Sequence, residues 1–196
     1  MTDDSLSRLA ERRGVETQVY QPAEDSGLLA TVAAEHLNNP DLVLEVGTGS
    51  GWVAATIGEE TGARVIGSDV NPYACRQASD RGVEAVRGNL LDPFADGVFD
   101  AVLFNPPYLP TDPDEEWDDW MEVALSGGAD GRAVIEPFLE TVSRVLAPDG
   151  IVLMLVSTLT GIEEIVSLAD DAGFASVAVH DESFPFETLT VLKLVR

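Results

Sequence analysis

Lysine is almost missing from this chain: Lys193 is the only one, and 11 basic residues stand against 35 acidic ones, for a formal net charge of −24. So acidic a surface repels nucleic acid at ordinary salt and argues against such a partner. Because the excess is spread along the whole chain, it also fits adaptation to concentrated salt, which screens the self-repulsion. Cysteine occurs once, at Cys75, which excludes an intrachain disulfide, and the well-separated His36 and His180 offer no metal-ligand cluster. No apolar run is long enough to span a bilayer. The first 21 residues, with Asp3, Asp4, Glu11, Arg12 and Arg13, contain no apolar signal-peptide core. A cytoplasmic, metal-free protein with no membrane association is expected: a polar segment over residues 1–18 and one domain over 19–196. A chain of 196 residues fits one α/β domain with a continuous core and leaves no room for a separate recognition domain.

What is present is an alternation of apolar runs and helical patterns. Residues 41–47 (DLVLEVG), 63–69 (ARVIGSD), 83–87 (VEAVR), 99–105 (FDAVLFN) and 150–157 (GIVLMLVS) are predicted as strands buried on both faces. Helix spacing is found at 26–37, 51–61, 72–81, 131–146 and 162–172. Alternating β and α elements imply a doubly wound parallel sheet. The runs 175–180 and 187–195, joined around Phe184-Pro185-Phe186, predict a closing hairpin. Periodicity alone admits several α/β folds with these features.

The first strand runs into Glu45-Val46-Gly47-Thr48-Gly49-Ser50-Gly51, a tight strand-to-helix turn whose glycines let the backbone approach a ligand. Its spacing is GxGxG, and the dinucleotide fingerprint GxGxxG is not in register. Asp69 closes the second strand roughly 20 residues on, where an acid can accept both ribose hydroxyls of an adenosine. Asn71-Pro72 is placed to cap the next helix, and Gly88-Asn89-Leu90 ends the third strand. All of these fall at the carboxyl ends of strands, where open α/β sheets bind ligands. The bland alternative is a plain glycine turn.

The fourth strand ends in Asn105-Pro106-Pro107-Tyr108, which matches the [DNS]-P-P-[YFW] signature of methyltransferases acting on planar amino or amide nitrogens. An amide nitrogen is a poor nucleophile, so acceptors must position and polarise it. The Asn105 side-chain oxygen and the Pro106 carbonyl can each accept one N–H. Consecutive prolines hold that carbonyl in place, and Tyr108 would pack on the planar amide. A rigid proline turn without chemistry is the structural alternative.

With these motifs the chain resembles the HemK-like glutamine N5-methyltransferases, in the short archaeal and eukaryotic branch that modifies class I release factors. The marks are Val19-Tyr20-Gln21-Pro22-Ala23-Glu24-Asp25-Ser26, Leu44 to Gly51, Asp69-Val70-Asn71-Pro72, Phe104 to Tyr108, and Gly127-Gly128-Ala129-Asp130-Gly131-Arg132. Together with the acidic bias they suggest a salt-loving archaeon. The resemblance implies a Rossmann-like class I S-adenosylmethionine-dependent methyltransferase, with a seven-stranded, mostly parallel sheet and an antiparallel C-terminal hairpin. It implies S-adenosyl-L-methionine as cofactor, held by Tyr20, Ser26, Glu45, Gly47, Gly49, Gly51, Asp69, Val70, Asn89, Leu90 and Asn105. Catalysis falls to Asn105, Pro106, Pro107 and Tyr108, with Glu24 and Asp25 near the substrate entrance. The implied substrate is the glutamine of a release factor's Gly-Gly-Gln loop, and the implied partner is a small zinc-binding activator protein in a heterodimer.

That activator is expected to dock on the third strand, an edge in this architecture, with the small residues of 74–78 letting it come close. Asp25 or Ser26 is also suited to capping the first helix. The acidic loop between Leu109 and Ala129, with Trp117 and Trp120, is equally a substrate lid or a satellite core. Two other functions stay open on sequence alone: a DNA or RNA adenine N6-methyltransferase, which would need a basic channel this chain lacks, and a catalytically silent cofactor-binding subunit.

Overall fold

Residues 18–111 and 120–196 are described by the computed structural model. The five predicted buried runs form parallel strands: β1 (Leu42–Val46), β2 (Arg64–Asp69), β3 (Glu84–Arg87), β4 (Phe99–Phe104) and β5 (Leu146–Ser157). The closing hairpin is β6 (Ala175–Ser183) and β7 (Thr188–Val195), with β7 antiparallel to both β5 and β6. The sheet order is β3-β2-β1-β4-β5-β7-β6, the expected seven-stranded arrangement.

Strand alternation explains the layers. Leu44, Val46, Val102, Phe104, Val152, Met154 and Leu192 face one core, while Val43, Ala101, Leu103, Leu153, Leu155 and Val191 face the other. The first core is closed by α5 (Ile135–Val145) and α6 (Ile162–Asp171). In α5 the buried Ile135, Phe138, Leu139, Val142 and Val145 recur at helical spacing along one stripe. The second core is closed by α1 (Glu24–His36), α2 (Trp52–Thr61) and residues of α3 (Pro72–Asp80). The short α4 (Trp120–Leu125) buries no residue. Among the described residues no helix is long and apolar enough to cross a membrane.

Two boundaries differ most from expectation. The helix predicted from residue 131 begins at Ile135, because residues before it are held in a loop where Ala133 N–H donates to the Gly127 carbonyl. β5 begins at Leu146 instead of 150, through a bulged pairing of Leu146 with Phe99 ahead of the regular ladder.

The chain order of the parallel strands reverses between β1 and β4, so the crevice above their carboxyl ends is the topological switch point. At the ends of the sheet, β3 pairs only with β2 and β6 only with β7 among the described residues. β6 carries Asp181 and Glu182, charges that discourage edge pairing, and β3 is the shorter edge.

Candidate active site

A cleft of 560 Å³ opens at the switch point, within the size range of small-molecule cofactor sites. Its floor is the turn after β1, where Gly47 and Gly49 adopt φ of 67° and 52°, values that favour glycine. Two hydrogen bonds tie this turn to the end of β2: Thr48 N–H to the Ser68 carbonyl at 2.9 Å, and Gly49 N–H to Asp69 Oδ2 at 2.9 Å. The other Asp69 oxygen, Oδ1, accepts Asn71 N–H at 2.9 Å. Asp69 is thus a staple between two loops as well as a candidate ribose ligand, since each oxygen keeps a second lone pair. Burial raises its carboxyl above the usual range, and the backbone N–H groups of Asn71 and Gly49 work against that. Asn71 caps α3 as expected, its Oδ1 accepting Tyr73 N–H, with Pro72 in the first helical turn.

Glu45 lies behind the turn. Its buried Oε2 accepts the Thr48 hydroxyl at 2.6 Å and Ala54 N–H, in the first turn of α2, at 2.9 Å. Burial pushes this carboxyl up to about 8; the bonds from Thr48 and Ala54 oppose the shift, and the negative charge of Asp69 adds to it. A raised folded-state value means that the folded protein keeps a proton which the unfolded chain has released. Stability should therefore fall as pH rises from about 4.5 to about 8. Glu45→Gln, neutral throughout and still an acceptor for both donors, should flatten that slope. Thermal melting of both proteins between about pH 5 and 9 checks this, and parallel profiles would remove Glu45 as the cause.

Gly51 is not part of the cleft wall. Its φ is 74°, and a Cβ there would stand 2.7 Å from Ala78 Cα, so this glycine serves the close approach of the turn before α2 to α3. The small side chains of 74–78 are likewise used internally: Ala74 and Ala78 are buried, and Cys75 is partly buried with its thiol 3.5 Å from the Asp69 carbonyl. They are not on offer to a partner, contrary to the sequence expectation. At the far wall, Asn89 and Leu90 follow β3, and Leu90 takes φ of 47°, uncommon for a bulky residue. Val70 also lines the cleft.

Asn105 to Tyr108 leave β4 directly into the cleft. Gly131 buttresses this exit, for a Cβ there would lie 2.6 Å from the Tyr108 carbonyl oxygen. Leu109 N–H donates to the Leu125 carbonyl and Gly127 N–H to the Leu109 carbonyl, closing the base of the acidic loop. Trp120 lines the cleft, whereas Trp117 lies outside the described residues.

The N-terminus of α1 reaches the same place. The helix starts after Ala23 with no side-chain cap, so neither Asp25 nor Ser26 has the capping role. Asp25 is 6% exposed and is turned inward. Its Oδ2 accepts Tyr20 OH at 3.1 Å and Asn105 Nδ2 at 3.0 Å, and its Oδ1 accepts Ser26 N–H at 2.6 Å. Glu24, its neighbour, is exposed and does not line the cleft. Burial first, then the charge of Asp25, pushes the Tyr20 hydroxyl above its usual range; burial, then Glu187 and Asp25, does the same for Tyr108. Both phenols therefore stay protonated. Glu187, in the hairpin loop just before β7, also lines the cleft and accepts the Ser157 hydroxyl at 2.5 Å. No local motif marks Glu187 in the sequence, because the hairpin alone carries it there.

The donor set fits S-adenosylmethionine. Glycine backbone, Asp69 and the β3 loop would hold its adenosine half, and two buried polar atoms of the cleft residues, Ser68 Oγ and Asn105 Oδ1, have no hydrogen-bond partner among the described residues.

Comparison with known proteins agrees with this geometry. A family model described as a methyltransferase domain matches residues 44–128. A protein of Methanocaldococcus jannaschii named as a protein N5-glutamine methyltransferase is 35% identical over 185 residues, covering 91% of this chain and 92% of its own. The human methyltransferase HEMK2 is 32% identical over 200 residues, covering 94% of this chain and 92% of its own. Among solved structures, the E. cuniculi Mtq2–Trm112 complex, responsible for methylation of the eRF1 translation termination factor, superposes with a TM-score of 0.76 at 27% identity, covering 91% of this chain and 99% of that one.

Proposed function

Because this chain belongs to the protein N5-glutamine methyltransferases, we propose that it methylates the side-chain nitrogen of the glutamine in the Gly-Gly-Gln loop of a class I release factor. The observation that carries this reading is the Asn105 amide at the cleft: its nitrogen is engaged and its oxygen is a buried acceptor without a partner among the described residues. A substrate amide N–H is the donor that oxygen lacks.

The cofactor, when bound, supplies an electrophilic methyl group. The chain's own residues hold a planar, weakly nucleophilic nitrogen in place for it. Asn105 Oδ1 takes one N–H and the Pro106 carbonyl the other, while Pro107 keeps the backbone rigid and Tyr108 confines the amide plane. The C–N bond would form as the methyl's bond to the cofactor sulfur breaks, and the proton shed by the alkylated nitrogen would pass to water, so the product is a neutral N-methyl amide and no prior deprotonation is needed. Tyr20, Ser26, Glu45, Gly47, Gly49, Asp69, Val70, Asn89 and Leu90 are the proposed cofactor residues. Gly51 contributes through helix packing. The domain would span 19–196 and work in the cytoplasm, where translation terminates.

Incubation with labelled S-adenosylmethionine and a release factor tests the proposal. Label should enter the intact factor and not one with Gln→Ala in its Gly-Gly-Gln loop; equal labelling of both would overturn the assignment.

The proposed partner is a small zinc-binding activator, as Trm112 accompanies Mtq2. The available edge is β3, whose outer backbone groups have no strand neighbour among the described residues and whose Glu84 is locked to Arg64 of β2 by two bonds of 2.8 and 2.5 Å. A strand added there gains main-chain hydrogen bonds. Proline at Ala85 or Val86, whichever turns its N–H outward, should abolish co-purification with the activator while leaving the melting temperature of the free chain nearly unchanged. A folded proline variant that retains the complex would place the partner elsewhere.

A further inference from the structure

We propose that Asp25 is a positioning residue that decides which end of the Asn105 amide meets the substrate, an inference that rests on the methyl-transfer reading above. The two ends of a primary amide are nearly isosteric, yet only one is useful here. With oxygen toward the target nitrogen Asn105 accepts its N–H; with nitrogen toward it, two donors oppose each other. Nothing in the backbone of β4 chooses between these rotamers, since they differ by a half-turn about the last side-chain bond.

Asp25 makes the choice. An ionised carboxylate can only accept hydrogen bonds, so the Asn105 end within 3.0 Å of Asp25 Oδ2 must be Nδ2. Asn105 Oδ1 is thereby directed away from Asp25 and is left without a partner among the described residues. The carboxylate itself is held on every side. Tyr20 OH donates to the same Oδ2 at 3.1 Å, and Ser26 donates to Oδ1 through its N–H at 2.6 Å and its hydroxyl at 3.2 Å. Those bonds come from the first turn of α1 and the segment before it, whereas Asn105 lies 80 residues away in sequence. Burial of Asp25 at 6% exposure keeps water from competing for Nδ2.

The test is a swap. In Asp25→Asn the side chain has one acceptor for donors on two sides. The short contact from Ser26 N–H claims the oxygen, so the new NH2 faces Asn105 and reverses its amide. Turnover on the release factor should fall ~100-fold or more, with KM and cofactor affinity within several-fold of wild type. Asn105→Asp alone sets two carboxylates face to face and should be equally poor. The double variant D25N/N105D restores one donor and one acceptor, with a carboxylate oxygen again presented to the substrate, and should recover to within ~10-fold of wild type.

A role for Asp25 confined to holding α1 would give additive losses, and a double variant no better than its worse parent would overturn the proposal. So would a folded D25N with near-normal turnover. A second readout needs no substrate: the Asn105 side-chain NH2 resonances, identified as the pair missing in N105D, should exchange with solvent faster in D25N than in wild type. Unchanged exchange overturns the anchoring whatever the substrate proves to be. Wild-type protein that fails to label the release factor, with the exchange difference present, instead counts against the substrate alone.

Discussion

Asn105→Ala should lower the rate of methyl transfer by ~100-fold or more while S-adenosylmethionine binds within several-fold of its normal affinity. The separation follows from where the side chain is spent. Its nitrogen is tied to Asp25 and its oxygen has no partner among the described residues, so its useful bond is to a group that enters the cleft from outside. Truncation leaves the Pro106 carbonyl as the sole acceptor for two N–H groups, and the target nitrogen can then rotate out of line. Deleting this amide also leaves Asp25 with one donor fewer on Oδ2, but Tyr20 and Ser26 still hold the carboxylate, so the fold should survive. Single-turnover rates and a cofactor titration on the two proteins decide the matter. Near-normal turnover would remove Asn105 from the reaction.

The second large effect is expected in binding. Asp69→Ala should weaken S-adenosylmethionine by about 2–3 kcal/mol, the range of charge-assisted hydrogen bonds lost from a carboxylate. Two losses combine in that figure. The ribose hydroxyls would lose the acceptor proposed for them, and Gly49 N–H and Asn71 N–H would lose the atoms that join the glycine turn to the loop before α3. The mutant should therefore also melt lower in the absence of cofactor, which a purely ligand-contacting residue would not do. Calorimetry for binding and thermal melting of the free protein measure the two parts separately. Unchanged affinity would take Asp69 out of the site, and unchanged melting with weaker binding would reduce it to a ligand contact.

Much of the fold and of the site is legible in local patterns. Strands that alternate between two cores must be apolar on both faces, so 41–47, 99–105 and 150–157 announce themselves without any partner in view. The glycine turn, Asp69, Asn71-Pro72 and the tetrapeptide are also local, each set by backbone geometry or chemistry over a few residues. In a parallel sheet the ends of such strands converge on one edge, so their order along the chain already places them together. Family resemblance added the cofactor, the substrate and the activator, which no periodicity contains.

What the tertiary structure decided are the meetings between distant segments. Gly51 carries the signature of a ligand turn, yet the room of its missing side chain is taken by Ala78, because the turn before α2 packs against α3 there. Ala74 and Ala78 suggest a surface for close approach, but helix rotation points them inward. Asp25 sits where a helix cap or an entrance acid would sit, and only the packing of α1 brings it against Asn105. Glu187 enters the cleft because β7 is inserted antiparallel between β5 and β6. Propensity and pattern act over a few residues and determine which elements form and which ends bear chemistry. The side chains that share one amide's hydrogen bonds depend on crossing and insertion of elements across the whole core, and that is decided only when the chain is packed.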